Sequence, residues 1–163
     1  MDYIRKYDSP LGGITMASDG EALTGLWFEG QHFYASTLGE CVTGDLPVFR
    51  ETGRWLDVYF SGRDPGFTPP LSLRGTPFRQ SVWAELLNIP FGQTATYGEI
   101  AARIGALSRT SARAVGGAVG HNPVSLIVPC HRVVGSGGAL TGYAGGLDLK
   151  RRLLQLETGE MIL

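Results

Sequence analysis

Cys130 is the side chain with the most chemistry to offer. It stands in Pro129-Cys130-His131-Arg132-Val133, directly after Val124-Ser125-Leu126-Ile127-Val128, an apolar run that reads as a short buried strand. A lone cysteine is by default a small buried hydrophobe. Its surroundings argue for a nucleophile instead. A rigid proline precedes it, a histidine follows it, and Asn122-Pro123 stands a few residues upstream. A reactive thiolate needs an electropositive neighbourhood. Residues 100–147 contain no acidic side chain but hold Arg103, Arg109, Arg113 and Arg132. Sulfur is a strong enough nucleophile to act without metal or cofactor, and none is expected. The other cysteine, Cys41, belongs to no Cys/His cluster with zinc spacing; a structural role is expected for it. A cysteine hydrolase would bring its base from a distant segment to face the thiol. Here His131 is adjacent, and on an extended chain neighbours point to opposite sides. His32 and His121 sit in no recognisable hydrolase context.

The elements that must position this centre are well punctuated. Thr76-Pro77 reads as an N-cap with a first-turn proline. Phe78, Val82, Trp83 and Leu86 then form one helical stripe. Thr96-Tyr97-Gly98-Glu99 fits a capping box and opens a short helix through Ile100 and Ile104. Gly105-Ala106-Leu107-Ser108 turns the chain into a second helix, from about Thr110 to Gly120, that stops at Asn122-Pro123. The pair is a helix-turn-helix candidate. On the second helix Arg109, Arg113, Gly116 and Gly120 share one narrow arc, beside an apolar stripe of Ala112, Val115 and Val119. The glycines either allow close helix packing or leave a basic ridge, poor in side chains, that can sink into a nucleic-acid groove. The acid-free surroundings favour the ridge.

Upstream, Ile14-Thr15-Met16-Ala17 and Leu23-Thr24-Gly25-Leu26-Trp27-Phe28 read as strands of an antiparallel meander, with turns at Gly12-Gly13 and Asp19-Gly20. Trp55, Leu56, Tyr59 and Phe60 place a helix over residues 49–60. Residues 62–70, rich in Gly and Pro, read as a linker. The expected organisation is a small α/β domain with its linker over 1–70 and a mostly helical domain over 71–163. Charge divides the same way: residues 1–73 carry 5 basic and 10 acidic side chains, residues 74–163 carry 9 and 5. The basic half points to an anionic partner, nucleic acid first. With 43% hydrophobic and 18% charged residues the chain is not intrinsically disordered. No run reaches the roughly 20 apolar residues of a membrane span, and the N-terminus lacks the apolar core of a signal peptide. A cytoplasmic protein is expected.

Pro129-Cys130-His131-Arg132-Val133 resembles the active-site signature of the O6-alkylguanine-DNA alkyltransferases. Gly75-Thr76-Pro77-Phe78, Phe91-Gly92-Gln93-Thr94, Tyr97-Gly98-Glu99-Ile100-Ala101, Ala112-Arg113-Ala114-Val115-Gly116, Asn122-Pro123 and Thr141-Gly142-Tyr143-Ala144-Gly145-Gly146 look like the same family in the right order. The resemblance is strong over residues 75–157. Ser9-Pro10-Leu11-Gly12 and residues 23–30 are similar, more loosely, to the bacterial members. The resemblance implies a ribonuclease-H-like α/β N-terminal domain and a helical C-terminal domain with a helix-turn-helix. It implies single-turnover transfer of an alkyl group from O6 of guanine in double-stranded DNA to Cys130, with O4 of thymine open as a second substrate. It also implies that Cys130 is coupled through water to His131, held by Glu157; that Asn122 pins the turns; and that Tyr97 works beside the base and its phosphate. Arg113 would fill the gap left by the flipped base. Thr94, Arg109, Gly116 and Ser136 would be further DNA-contact positions. Val133 and Ala144 would read the base through backbone groups, Tyr143 and Val119 would wall its pocket, and Ser125 would stand on the pocket side. A monomer is implied, with cooperativity on DNA open. A helix-turn-helix regulator that binds without transfer is the alternative, and it has no use for the thiol.

Overall fold

The computed structural model describes residues 1–105 and 109–163, and of residues 109–112 the backbone only. The chain begins with β1 (Asp2–Ser9), β2 (Gly12–Ser18) and β3 (Leu23–Phe28), an antiparallel meander in which Tyr7 lies opposite Ile14 and Ile14 opposite Phe28. A short β4 (Cys41–Thr43) adds parallel to β1, giving the order β3-β2-β1-β4. β1 escapes the apolar-run reading because DYIRKYDS holds its place through backbone pairing to β2 and β4, with most side chains only partly covered. β3 is buried at all six positions. The helix expected over 49–60 is α1 (Pro47–Phe60); it begins at Pro47 and buries Phe49, Thr52, Leu56, Tyr59 and Phe60 at three- and four-residue steps.

The second half is helical. In α2 (Pro77–Leu86) the Thr76 hydroxyl accepts the Arg79 N–H, and the Trp83 indole donates to the Ala118 carbonyl at 2.8 Å. β5 (Ala95–Thr96) runs straight into α3 (Tyr97–Arg103), whose capping box between Thr96 and Glu99 is formed in both directions. α4 (Arg109–Gly120) packs on α2 and α3. Residues 106–108 of the expected turn lie outside the described residues. β6 (Val133–Val134) pairs parallel with β5, so the start of α3 sits beside the Cys130 segment. α5 (Leu147–Thr158) closes the fold. One continuous apolar cluster joins β2, β3 and α1 to α2, α3, α4 and α5. Among the described residues no helix is long and apolar enough to cross a membrane.

Three expectations need correction. Residues 124–128 are not a strand. Only Val124 bridges β3, opposite Leu26, and the chain then turns. The Asn122 amide drives the turn: Nδ2 donates to the carbonyls of Val128 (2.7 Å) and Val124 (3.3 Å), and Oδ1 accepts the Val124 N–H. Leu126, fully buried, is held at φ 70°, a left-handed conformation that persists in a non-glycine residue only where neighbours over-determine it. Cys130 and His131 are not on extended chain either. Pro129 (φ −82°, ψ 66°) makes an inverse γ-turn that directs the Cys130 N–H to the Val128 carbonyl, and residues 130–132 form one 3-10 turn. Cys41 is no buried structural hydrophobe: it is exposed on the edge strand β4.

Candidate active site

Behind the Cys130 turn lies a buried ionic network built from distant parts of the chain. Glu157, in the last turn of α5, has a side chain only 1% exposed. Its Oε1 accepts from Arg132 Nε (2.7 Å) and from the Gly92 N–H (3.1 Å). Its Oε2 accepts from the Tyr59 hydroxyl of α1 (2.7 Å) and from His131 Nε2. Gly92 offers its N–H from a backbone at φ 78°, a conformation that favours glycine. Burial pushes the Glu157 carboxyl up, but His131 and Arg132 outweigh it and hold the group ionised. Burial holds the fully buried His131 below its usual range, against the pull of Glu157. The pair is therefore a neutral imidazole donating Nε2–H to a carboxylate, which leaves Nδ1 with a free lone pair. Among the described residues Nδ1 is buried without a hydrogen-bond partner. An imidazole oriented by a carboxylate in this way is a poised base.

Cys130 stands on the other side of the same turn and lines a cleft of about 230 Å³, together with Tyr97, Gly116, Val119, Gly120, Gly142, Tyr143 and Ala144. Burial raises the thiol above its ordinary value, while the Asn122 amide, the Lys150 ammonium and the Tyr143 hydroxyl pull it down. The resting group is thus a thiol, not the thiolate that the basic sequence context suggested. Tyr97 donates to the Thr141 carbonyl at 3.3 Å across the cleft. Lys150, fully buried, donates to the carbonyls of Val133 (2.5 Å), Thr141 (2.9 Å) and Gly142 (3.2 Å). Three acceptors call for three protons, so the amine is an ammonium. It clips the 141–142 wall of the cleft to β6.

The two halves of the chain match two models of one family: residues 3–73 match "6-O-methylguanine DNA methyltransferase, ribonuclease-like domain", and residues 77–159 match its "DNA binding domain". A methylated-DNA--protein-cysteine methyltransferase of Mycobacterium tuberculosis is 48% identical over 96% of this chain and 93% of its own. One from Haemophilus influenzae is 44% identical over 95% of this chain and 86% of its own. A structure of Mycobacterium tuberculosis OGT in complex with DNA superposes with a TM-score of 0.88 at 46% identity, over 98% of this chain and 95% of that one. This chain belongs to the 6-O-methylguanine DNA methyltransferase family. The fold is the family's, a sheet-containing N-terminal part and a helical C-terminal part.

Of the positions the family resemblance singled out, the cleft gathers Cys130, Tyr97, Gly116, Val119, Tyr143 and Ala144, and the network behind it gathers His131 and Glu157. Asn122 braces the turn that leads into Cys130. Val133 lies outside the lining, its carbonyl taken by Lys150, and the Ala144 carbonyl accepts from the His32 N–H at 2.9 Å. Thr94 and Ser136 are exposed near opposite ends of the β5–β6 pair. Arg113 is exposed on α4, while the Arg109 side chain lies outside the described residues. An added Cβ at Gly116 or Gly120 would meet nothing within 4 Å, which removes close helix packing as their reason. Ser125 does not line the cleft: it is buried, with Oγ 3.5 Å from Gln31 Oε1, because its N–H is pinned to the Leu26 carbonyl. Sequence reasoning missed Lys150, Tyr59 and the role of Arg132. Lys150 did leave a signal, since it shares with Leu153, Leu156 and Glu157 the one face of α5 that is buried.

Proposed function

We propose that this protein repairs double-stranded DNA by moving the alkyl group of an O6-alkylguanine onto Cys130, once per molecule. The observation that carries the reading is a buried thiol opening into a cleft, with an Asn122-braced turn and the His131–Glu157–Arg132 network behind it, in a chain of this family. The thiol proton passes by way of a bridging water to His131 Nδ1, and the imidazolium that forms is stabilised by Glu157. Sγ then displaces guanine in line at the alkyl carbon. The S–C bond forms as the C–O6 bond breaks, and the electron pair stays on the guanine, which takes up a proton. The product is a thioether, a poor leaving group, so the protein is consumed.

A base in a duplex must leave the stack to reach this cleft, at a cost of about a few kcal/mol. We assign that task to α4, with Arg113 entering the gap and the open Gly116–Gly120 edge allowing close approach. Tyr97, Thr94, Arg109 and Ser136 hold the backbone, and Val119, Tyr143 and Ala144 receive the base. The protein acts as a monomer in the cytoplasm, where thiols stay reduced, and residues 71–163 carry the DNA contacts and the transfer centre. Incubation with a duplex containing labelled O6-methylguanine tests the reading. One label per chain on the Cys130 peptide is expected. Binding with all label left on the DNA would replace the transferase with a regulator.

A further inference from the structure

Two side chains of the cleft come from the N-terminal half and have no part in the chemistry above. His32 and Phe33 line it together with the α4 glycines. They lie in a strap, residues 29–40, between β3 and β4. The strap is fastened on both sides of this pair. On one side Gln31 Oε1 accepts the Phe28 N–H at 2.8 Å. On the other the Tyr34 hydroxyl bonds Thr15 Oγ1 at 2.7 Å and Lys6 Nζ at 3.1 Å, and its ring stands edge-on to Trp27. The pair between the fastenings spans the cleft. The His32 N–H is bonded to the Ala144 carbonyl on one wall. The Phe33 ring stacks on His121, just beyond α4 on the other wall, with centroids 3.8 Å apart.

Core packing does not explain Phe33. The residue is 47% exposed, and it sits at φ 58° with Ala35 at φ 53°. Such conformations are rare for residues with a Cβ and cluster where function requires them. Gly116, Gly120 and Gly142, which line the same cleft, present no side chain, and a Cβ there would meet nothing within 4 Å. The Phe33 ring is therefore the bulk that narrows an otherwise open side of the cleft.

We propose that the His32–Phe33 strap is the outer wall of the cleft and sets the upper size of the alkyl group that Cys130 accepts. The inference rests on the transfer reading above. The test uses the full chain and one duplex carrying O6-methyl-, O6-ethyl- or O6-butylguanine at the same site, with single-turnover rates measured for each. Phe33→Ala is expected to raise the butyl-to-methyl rate ratio roughly tenfold, the discrimination that a methylene or two of pocket space confers. His121→Ala, which removes the ring Phe33 stacks on, is expected to move the ratio the same way by less, and Phe33→Tyr to keep the parent ratio. Rates that fall in parallel for all three groups, or a ratio unchanged in both alanine variants, would overturn the proposal. Parent protein that takes no methyl group would overturn the transfer reading itself.

Discussion

At the residue scale the centre works by dividing labour between two faces of one 3-10 turn. Cys130 faces the cleft and His131 faces the interior, where Glu157 orients the imidazole. Cys130→Ser is expected to abolish transfer while leaving DNA binding largely intact, because one atom changes. Transfer to the exposed Cys41 in that variant, read by peptide mass, would refute the assignment. Glu157 carries more than its hydrogen bond to His131. With Glu157→Gln, Arg132 loses its only anionic partner among the described residues, and breaking a buried pair from one side costs about 3–5 kcal/mol. Denaturant melts should show a loss of that order, with slower transfer. The pH response has a definite sign. His131 and Glu157 are both held below their ordinary values of 6.5 and 4.5. Below those values the unfolded chain binds protons that the folded chain resists. The stability present above pH 6.5 is therefore lost progressively as pH falls, from 6.5 downward for His131 and between 4.5 and about 2 for Glu157. Melting temperatures measured from pH 7 to pH 2 should decline, and the part of the decline between 4.5 and about 2 should be missing in Glu157→Gln; an equal slope there in both would contradict the network.

At the scale of elements, α4 trades stability for access. Glycine in a helix interior is about 1 kcal/mol worse than alanine, yet Gly116 has open space around it. Gly116→Ala should therefore raise thermal stability and weaken binding to duplex DNA. Stability and affinity moving together would refute the ridge. Arg113→Ala should slow repair in a duplex more than transfer from the free modified base, since only the duplex requires extrusion; equal losses would place Arg113 in general folding. The helices were legible in the sequence because their signals are local: Thr76-Pro77, the Thr96–Glu99 box and the Trp55–Phe60 periodicity each lie within two turns. Residues 124–128 were not legible. An apolar run does not disclose that the Asn122 side chain will take its carbonyls, nor that Leu126 will sit at positive φ. β1 was lost for the opposite reason, because backbone pairing holds a strand whose side chains show little pattern. Cys130 could be argued from its neighbours, but His131–Glu157 needed the family resemblance. Nothing in local sequence says that a carboxylate 26 residues away will be buried against that imidazole.

The whole molecule behaves as one frame around Cys130. Strand β3 reaches the centre through Leu26, whose N–H donates to the Pro123 carbonyl and whose carbonyl accepts the Ser125 N–H; α1 reaches it through Tyr59 and Glu157. Alkylation of Cys130 should therefore be felt far from the sulfur. Cys130 is only 6% exposed and its position is set by Pro129, by Asn122 and by the Tyr143 wall. The methyl group takes the place of the thiol proton beside the Tyr143 hydroxyl, and the sulfur cannot retreat, since its turn is fixed by the Cys130–Val128 hydrogen bond behind. Overpacking of this kind costs about 1–3 kcal/mol, which lowers the melting temperature of a chain of this size by about 2–12 °C. The displacement has a route outward. Asn122 braces both Val124 and Val128 and stands two residues beyond the end of α4, so strain at Sγ is passed to the helix assigned to the DNA. The alkylated protein should melt lower and bind duplex more weakly than the fresh protein, which would free the repaired site. Titration against methylated duplex, followed by melting and binding of the product, decides it. Several methyl groups per chain would defeat the single turnover, and an unchanged or raised melting temperature would defeat the coupling from Cys130 through Asn122 to α4.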